Sequence, residues 1–301
     1  MTRREPGALV ERESELATLA AMAGDAGRGE GRLVVVEGPP GIGKTRLLRH
    51  ARAAAAGDGA RVFAARGTEL EAHAAFGVVR QLFEPLVFAT AEAERTELFA
   101  GAGALARAVL GAGDLQELDA RGADRYSQIN GLFWFVSSLA RAQPLVIVVD
   151  DVQWADTPSA EFLGFLAHRI EGLPVLLAVA TRPVAEAPGH ISATLLTEPG
   201  ATVLRPAPLS RDSVETLVRD AAGADADEDF ALACLEATRG NPFLLSELLR
   251  EVSARRLAPD RPGRAPHRLA RPGRRLHGDR AAPRGHAGRR AAAGRGRRNP
   301  R

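Results

Sequence analysis

The chain has 301 residues, 45% of them hydrophobic and 5% aromatic, which allows one large domain or two modest ones with a mainly aliphatic core. Its single cysteine, Cys234, excludes an intrachain disulfide. Because the sequence contains no long apolar segment, we expect neither a secretory signal nor a membrane span. We therefore expect a soluble cytoplasmic protein with no membrane partner.

The net charge of +3 is the sum of two opposite parts. Residues 254–301 contain 16 arginines and two acidic residues, so this segment carries about +14 and the rest of the chain about −11. The basic pI of 9.9 therefore describes the end of the chain. An acidic body does not support nucleic-acid binding by the folded part of the chain.

Strand-like and helix-like segments alternate along the chain. In order, the pattern predicts helix 11–24, strand 31–38, helix 45–57, strand 60–67, helical residues 73–111 with a loop at 84–85, helix 123–142, a strand within 144–156, helix 157–172, strand 174–183, strand 201–210 and helices from 211 to about 255. Thr157 is the expected N-cap of the helix at 157–172, with Pro158 at its first position. The alternation predicts an α/β fold in which helices flank a mostly parallel sheet.

The predicted organisation is an α/β domain over 1–206, a small helical lid over 207–253 and a tail over 254–301. The tail contains no aromatic residue, Ile or Val and is rich in Arg, Gly, Pro and Ala, so we expect it to be disordered. Two explanations of the tail remain open. It could bind nucleic acid through phosphate groups, or it could be the out-of-frame or truncated end of a GC-rich coding sequence.

Residues 38–45 read GPPGIGKT and match the pattern G-x-x-x-x-G-K-[ST]. The match predicts a phosphate-binding loop (P-loop), in which backbone N–H groups surround phosphate oxygens. Lys44 is expected to reach the β- and γ-phosphates of ATP, and Thr45 to bind Mg²⁺. The other residues expected to contact the nucleotide here are Gly38, Pro39, Pro40, Gly41, Ile42, Gly43 and Arg46.

Two further strands end in candidate functional residues. Asp150 and Asp151 follow the apolar run PLVIVV, at the edge where ligands bind in an open parallel sheet. Asp150 is expected to hold Mg²⁺ through water, and Asp151 to orient or deprotonate the attacking water. Arg182, at the end of the next strand, is expected to sense or stabilise the γ-phosphate. The expected ligands are therefore ATP or ADP, with Mg²⁺.

These motifs together resemble a known family. The segments LVERESEL (9–16), GPPGIGKT, LVIVVDDVQWAD, LLAVATRP and GNPFLLSELL resemble the STAND class of P-loop NTPases, the signal-transduction ATPases with numerous domains. They are most similar to the ATPase module of the large ATP-binding LuxR-type transcriptional regulators. The resemblance covers about residues 7–253.

The resemblance implies two contacts with the adenine ring. The family's Gly-Arg-Glu segment corresponds to Glu11-Arg12-Glu13, so Arg12 matches and Glu11 replaces the glycine. The family's Gly-x-Pro motif corresponds to Gly240-Asn241-Pro242, which implies that Pro242 touches the adenine from the lid. Regulators of this type are longer and end in a helix-turn-helix. Since nothing after residue 253 resembles one, we expect a chain truncated after the ATPase domain, without sequence-specific DNA binding.

Three functional hypotheses remain open. The first is an ATP-binding regulatory switch with weak Mg²⁺-dependent hydrolysis, which signals to protein partners or through self-association. The second is a metabolic P-loop enzyme such as a kinase, or a fast ATPase. The third is a nonfunctional fragment of a longer regulator.

Lys44 is the sole lysine among 40 lysine and arginine residues, which suggests that arginine does not fit at this position. Arginine carries a wide planar group, whereas the P-loop suits a compact ammonium on a flexible stem. We therefore expect Lys44→Arg to weaken ATP binding and hydrolysis. Calorimetric titration and a phosphate-release assay measure the two effects. Wild-type values in both assays would show that the lysine is not required.

Overall fold

The structure, a computed structural model, describes residues 9–111, 124–186, 191–222 and 228–254 of the chain. All of these residues belong to the first of two compact units, residues 1–261. From residue 255 onward, the tail for which the sequence predicts disorder lies outside the described residues.

A five-stranded sheet forms the centre of the fold, with the strand order β2-β3-β4-β1-β5 and parallel pairing throughout. The strands are β1 (Arg32–Glu37), β2 (Arg61–Arg66), β3 (Leu145–Asp150), β4 (Val175–Thr181) and β5 (Ala201–Leu204). β3 and β4 are buried along their whole length, as expected for parallel strands that are covered on both faces. The predicted α/β fold with a parallel sheet is confirmed. β5 is shorter than predicted because Pro206 and Pro208 have no N–H to donate to a neighbouring strand.

Helices connect the strands, and three further helices follow β5. They are α1 (Glu13–Gly27), α2 (Lys44–Gly57), α3 (Gly77–Ala89), α4 (Glu92–Leu98), α5 (Arg125–Ala142), α6 (Thr157–His168), α7 (Ile191–Leu196), α8 (Arg211–Ala222), α9 (Glu228–Thr238) and α10 (Pro242–Ala254). Short 3₁₀ helices cover Gly101–Arg107, Val152–Trp154 and Val184–Glu186. The sequence pattern did not predict α7. Among the described residues, no helix has the length and apolar character needed to cross a membrane.

Helices cover both faces of the sheet because successive residues of a strand point to opposite faces. In β1, Leu33 and Val35 face a core formed with α3, α5 and α6, whereas Val34 and Val36 face a second core formed with α1 and α2. Helices α8, α9 and α10, which we call the C-terminal helical bundle, enclose a third core. This third core contains Cys234, whose thiol pKa is raised by burial to about 11, so this cysteine is a packing residue.

α3 continues through the predicted loop at 84–85. Pro85 lies inside this helix, although an internal proline removes a backbone hydrogen bond and costs about 3 kcal/mol. Val79, Phe83 and Val87 on the same helix are fully buried, and each such burial stabilises the fold by about 1.5–3 kcal/mol. Packing therefore outweighs the local effect of the proline, and the predicted loop is wrong.

The N-cap of α6 is Asp156 and not the predicted Thr157. The Asp156 side chain is 2% exposed and accepts hydrogen bonds from the backbone N–H groups of Ser159 (3.0 Å), Phe76 (2.8 Å) and Val78 (3.2 Å). A carboxylate has two oxygens and can serve both helices, whereas the hydroxyl of a threonine has only one. Asp156 therefore caps α6 and fixes the start of α3 to it.

We expect Asp156→Ala to lower the free energy of unfolding by about 3 kcal/mol, because the substitution leaves buried N–H groups without an acceptor. Asp156→Asn should cost less, since its amide oxygen still accepts a hydrogen bond. Thr157→Ala is the matched control and should stay within about 0.5 kcal/mol of wild type. Urea denaturation followed by circular dichroism measures these values. An equal cost at positions 156 and 157 would contradict the assignment of the cap.

Candidate nucleotide-binding site

The carboxyl ends of the parallel strands bring the predicted site residues to one edge of the sheet. The P-loop follows β1, Asp150 ends β3 and Thr181 ends β4. Since β4 lies between β3 and β1, these three strand ends are neighbours. Ligands of open parallel sheets bind at this edge.

The P-loop connects β1 to α2 through a backbone that only glycine adopts easily. Gly41 (φ 81°) and Gly43 (φ 109°) both have left-handed conformations, which side chains with a Cβ rarely adopt. Gly43 is the N-cap of α2, and Lys44 is its first residue. The positive end of the α2 dipole therefore lies at the loop, as a phosphate site requires.

The Lys44 side chain folds back over the P-loop. Its ammonium donates hydrogen bonds to the carbonyl oxygens of Gly38 (2.7 Å) and Pro39 (3.0 Å), and the residue is 7% exposed. Burial lowers the pKa of Lys44, while the nearby carboxylates of Asp151 and Asp150 oppose this shift. The ammonium is thus positioned where phosphate oxygens can compete with two carbonyl oxygens for its protons.

Thr45 and Asp150 form the candidate metal site. The Thr45 hydroxyl donates to Asp150 Oδ2 at 2.7 Å, and Asp150 is 8% exposed. Hydroxyl and carboxylate oxygens are ligands of the type that Mg²⁺ prefers. The two predicted metal-binding residues therefore lie in contact with each other, and their donor atoms fit the predicted metal.

Asp151 is held by two neighbours that sequence analysis did not single out. Its carboxylate accepts hydrogen bonds from the Arg66 guanidinium at 2.8 and 3.2 Å and from the Gln153 amide at 3.1 Å. Arg66 reaches it because Arg66 pairs with Asp150 in the register of β2 and β3. The candidate catalytic carboxylate is therefore ion-paired.

Arg182 follows β4 and lies beside the same residues. Its backbone N–H donates to Gln153 Oε1 at 3.3 Å, and its guanidinium lies 6.0 Å from the centre of the Trp154 ring. Gln153 is 3% exposed. It therefore links the Asp151 carboxylate to the backbone of Arg182, the two groups that sequence analysis places nearest to the reacting phosphate.

Arg12 joins three segments of the chain around the P-loop. Its guanidinium is buried and donates to the carbonyl oxygens of Glu11 (2.7 Å), Ala207 (2.6 Å) and Ile42 (3.3 Å). Ala207 belongs to the connection that leads into the C-terminal helical bundle, and Ile42 to the P-loop. Arg12 therefore fixes the P-loop relative to the start of the bundle.

Glu11 occupies the position of the glycine in the Gly-Arg-Glu motif, and its backbone is left-handed (φ 56°). Its carboxylate accepts hydrogen bonds from the Ser210 N–H (2.9 Å), the Ser210 hydroxyl and the Ser213 hydroxyl (2.5 Å). Ser210 directly precedes α8, so the negative charge lies at the positive end of that helix. Although burial acts in the opposite direction, these hydrogen bonds hold the pKa of Glu11 below its ordinary value.

Two cavities lie side by side along the P-loop. The larger, of 680 Å³, is lined by polar and loop residues that include Pro40, Gly41, Lys44, Thr45, Asp151 and Arg182. The smaller, of 140 Å³, is lined mainly by the apolar residues Leu9, Val10, Ile42, Leu209, Leu245 and Leu249, together with Arg12. Gly43, Arg46, Pro242 and Ser246 line both. Of the predicted site residues, Gly38, Pro39 and Asp150 line neither cavity and are connected to the site through Lys44 and Thr45.

A family model described as AAA ATPase domain matches residues 8–179, which is more than half of the chain. The chain belongs to the AAA ATPase domain family. The match covers the P-loop, β3 with Asp150 and Asp151, and most of β4, and it ends before Thr181 and Arg182. The prediction of a P-loop ATPase module is thus confirmed at the level of the family, and the LuxR-type STAND class stays a prediction.

This AAA ATPase domain is 31% identical over 202 residues to an uncharacterized protein from Rhizobium meliloti (strain 1021), a match that covers 60% of this chain and 19% of that protein. Among solved structures, its fold is similar to that of Cdc6p from Pyrobaculum aerophilum, with 18% identity, a TM-score of 0.51 and coverage of 85% of this chain and 64% of that one. The Orc1 protein of Aeropyrum pernix, solved in complex with DNA, has 21% identity and a TM-score of 0.47, with coverage of 83% and 62%. The chain therefore spans about a fifth of the curated relative and less than two thirds of either solved structure.

We expect Glu11→Gly to destabilise the AAA ATPase domain by about 3 kcal/mol. Glycine relieves a left-handed backbone that costs about 1–2 kcal/mol, but the variant loses several hydrogen bonds to a charged group, each worth about 1.5–3 kcal/mol. Glu11→Gln keeps an acceptor and should lose less. Thermal and urea unfolding measure the difference. A Glu11→Gly variant as stable as wild type would show that the contacts with Ser210 and Ser213 contribute no more than the backbone relief.

Proposed function

We propose that this chain is the ATP-binding switch module of a STAND-class regulator, of the kind found in the large ATP-binding LuxR-type transcriptional regulators. The C-terminal helical bundle acts as the lid of the module. Bound ATP or ADP sets the position of the lid, and slow hydrolysis resets it. The motifs that extend beyond the P-loop, above all DDVQWAD, TRP and GNPF, support this class within the AAA ATPase domain family.

The observation that carries the proposal is the pair of adjoining cavities between the sheet edge and the bundle. An adenine ring is flat and largely apolar, and it suits the smaller cavity with Leu209, Leu245 and Leu249 in its lining. The triphosphate suits the larger cavity, where Lys44 and the N-terminus of α2 supply positive potential. Pro242 lines both cavities, so the nucleotide would touch the first residue of α10 at the junction of base and phosphates.

At the phosphate end, the residues divide into binding and reacting groups. Thr45 and Asp150 would hold Mg²⁺, which when bound neutralises charge on the phosphate oxygens. Lys44 binds the β- and γ-phosphates, and Arg182 contacts the γ-phosphate from the end of β4. Asp151 orients the attacking water and accepts its proton.

The contacts of Asp151 favour a slow reaction. A carboxylate that already accepts hydrogen bonds from Arg66 and Gln153 has fewer free lone pairs with which to orient water. Movement of Arg66 away from Asp151 would free lone pairs of the carboxylate for water, at the cost of a conformational step in each turnover. This property suits a switch better than a motor or a metabolic enzyme.

The domains or proteins that respond to the switch lie outside the described residues. The curated relative is about five times as long as the region that matches it, which supports a module that acts within a larger assembly. We assign no sequence-specific DNA reading to the described residues. The partners we propose are further domains of a longer regulator, separate proteins, or other copies of the chain.

Calorimetric titration with ATP and ADP in the presence of Mg²⁺ tests the proposal, with Lys44→Ala as the variant. We expect wild-type protein to bind both nucleotides and Lys44→Ala to lose binding by at least about a hundredfold, since a charged contact to phosphate is removed. Phosphate release should be far slower than one ATP per second. Unchanged affinity in Lys44→Ala would overturn the site assignment.

The same assay separates the switch from its alternatives. Turnover on the order of tens of ATP per second, or phosphoryl transfer to a small acceptor, would favour a fast ATPase or a kinase. Wild-type protein that is folded but binds neither nucleotide would favour a nonfunctional fragment.

A further inference from the structure

Each carbonyl oxygen of the P-loop from Gly38 to Ile42 accepts a hydrogen bond. Lys44 donates to the carbonyl oxygens of Gly38 and Pro39, and Arg12 donates to that of Ile42. The middle two are held by the C-terminal helical bundle: Asn241 Nδ2 donates to Pro40 O at 3.0 Å, and the Phe243 N–H donates to Gly41 O at 3.2 Å. The bundle therefore contacts the backbone of the loop that binds phosphate.

Asn241 performs two tasks with the two ends of its amide. Its Oδ1 accepts from the N–H groups of Phe243 (3.1 Å) and Leu244 (3.2 Å), so it caps α10. Its Nδ2 is the donor to Pro40 in the P-loop. An aspartate or a serine would serve as the cap equally well, but neither could make the second contact.

The P-loop at Gly41 and the start of α10 are packed so closely that neither can move without the other. A Cβ added to Gly41 would lie 2.7 Å from Asn241 Oδ1 and 2.9 Å from Phe243 Cβ, which is closer than side chains tolerate. Gly41 also has a left-handed backbone, so the loop turns at this residue. Any rearrangement of the loop around phosphate therefore involves the residue that touches α10. Loop and helix must therefore shift together.

We propose that Asn241 is the positioning residue that couples the state of the P-loop to the position of α10. The proposal rests on the nucleotide-binding function above and identifies the contact through which phosphate binding changes the position of the lid. Phosphate binding fixes the conformation of the P-loop backbone. The hydrogen bonds of the Pro40 and Gly41 carbonyls to Asn241 and Phe243 transmit this conformation to α10, which changes position with the loop. Without the Asn241 donor, α10 keeps its cap but loses one of its two hydrogen bonds to the loop.

The test combines amide hydrogen exchange in α10 with calorimetric titration of ADP and Mg²⁺. In wild-type protein, we expect saturating ADP to slow exchange over residues 243–249. Asn241→Ser keeps a neutral cap but is too short to reach Pro40, and Asn241→Asp keeps the length and the cap but has no N–H. Both should bind ADP about five- to tenfold more weakly and lose most of the ADP-dependent slowing, while exchange without nucleotide stays within about twofold of wild type.

Ser253→Ala is the matched control. The Ser253 hydroxyl donates only within α10, to Leu249 O at 2.8 Å, and the residue lines neither cavity. This variant should respond to ADP as wild type does. A change of the same size at position 253 would show that loss of any polar side chain at or near α10 has the effect, and would overturn the role of Asn241.

The remaining outcomes also decide the question. A wild-type response in both Asn241 variants overturns the proposal. Loss in Asn241→Asp alone would implicate the added charge, and loss in Asn241→Ser alone the side-chain size, so either result also overturns it. Wild-type protein that binds no ADP overturns the proposed function and the coupling that rests on it, whereas binding without coupling overturns only the latter.

Discussion

The parallel pairing of β3, β4 and β1 is the constraint on which the site depends. Parallel strands end at the same edge, so the residues that follow each of them become neighbours although they are far apart in the chain. Apolar side chains on both faces of these strands keep the pairing in register, and the register places Arg66 opposite Asp150. A slip of one residue would exchange the two faces of a strand and move Asp150 out of reach of Thr45.

Buried polar groups then connect this edge to the elements around it. Asp156 joins two helices, Gln153 joins the ends of β3 and β4, and Arg12 joins the N-terminal segment to the P-loop. Each of these groups has more than one partner, which is the condition under which a polar side chain can be buried without large cost. The segment DDVQWAD thus contributes a candidate metal ligand together with connecting and capping side chains within seven residues of sequence.

The parts of the site that could be predicted from the sequence are those that a local pattern specifies. The P-loop, Asp150 and the alternation of strands and helices follow from glycine spacing, strand composition and helix periodicity. The contacts of Arg66, Glu11 and Asn241 could not be predicted, because each depends on a residue that is distant in sequence and on the register or packing that brings it close. The same reason explains Pro85 and Asp156, where tertiary packing and a long-range hydrogen bond outweighed the local preference.

The burial of Lys44 has a consequence for the chemistry of the whole surface. Lys44 is the only lysine of the chain and is 7% exposed, so the outer surface of the described residues carries no side-chain primary amine. Enzymes and reagents that acylate, ubiquitinate or crosslink lysine can reach a side chain of this protein only through the P-loop. Any such modification would therefore compete with the nucleotide, and a bound phosphate would shield the one lysine side chain of the sequence.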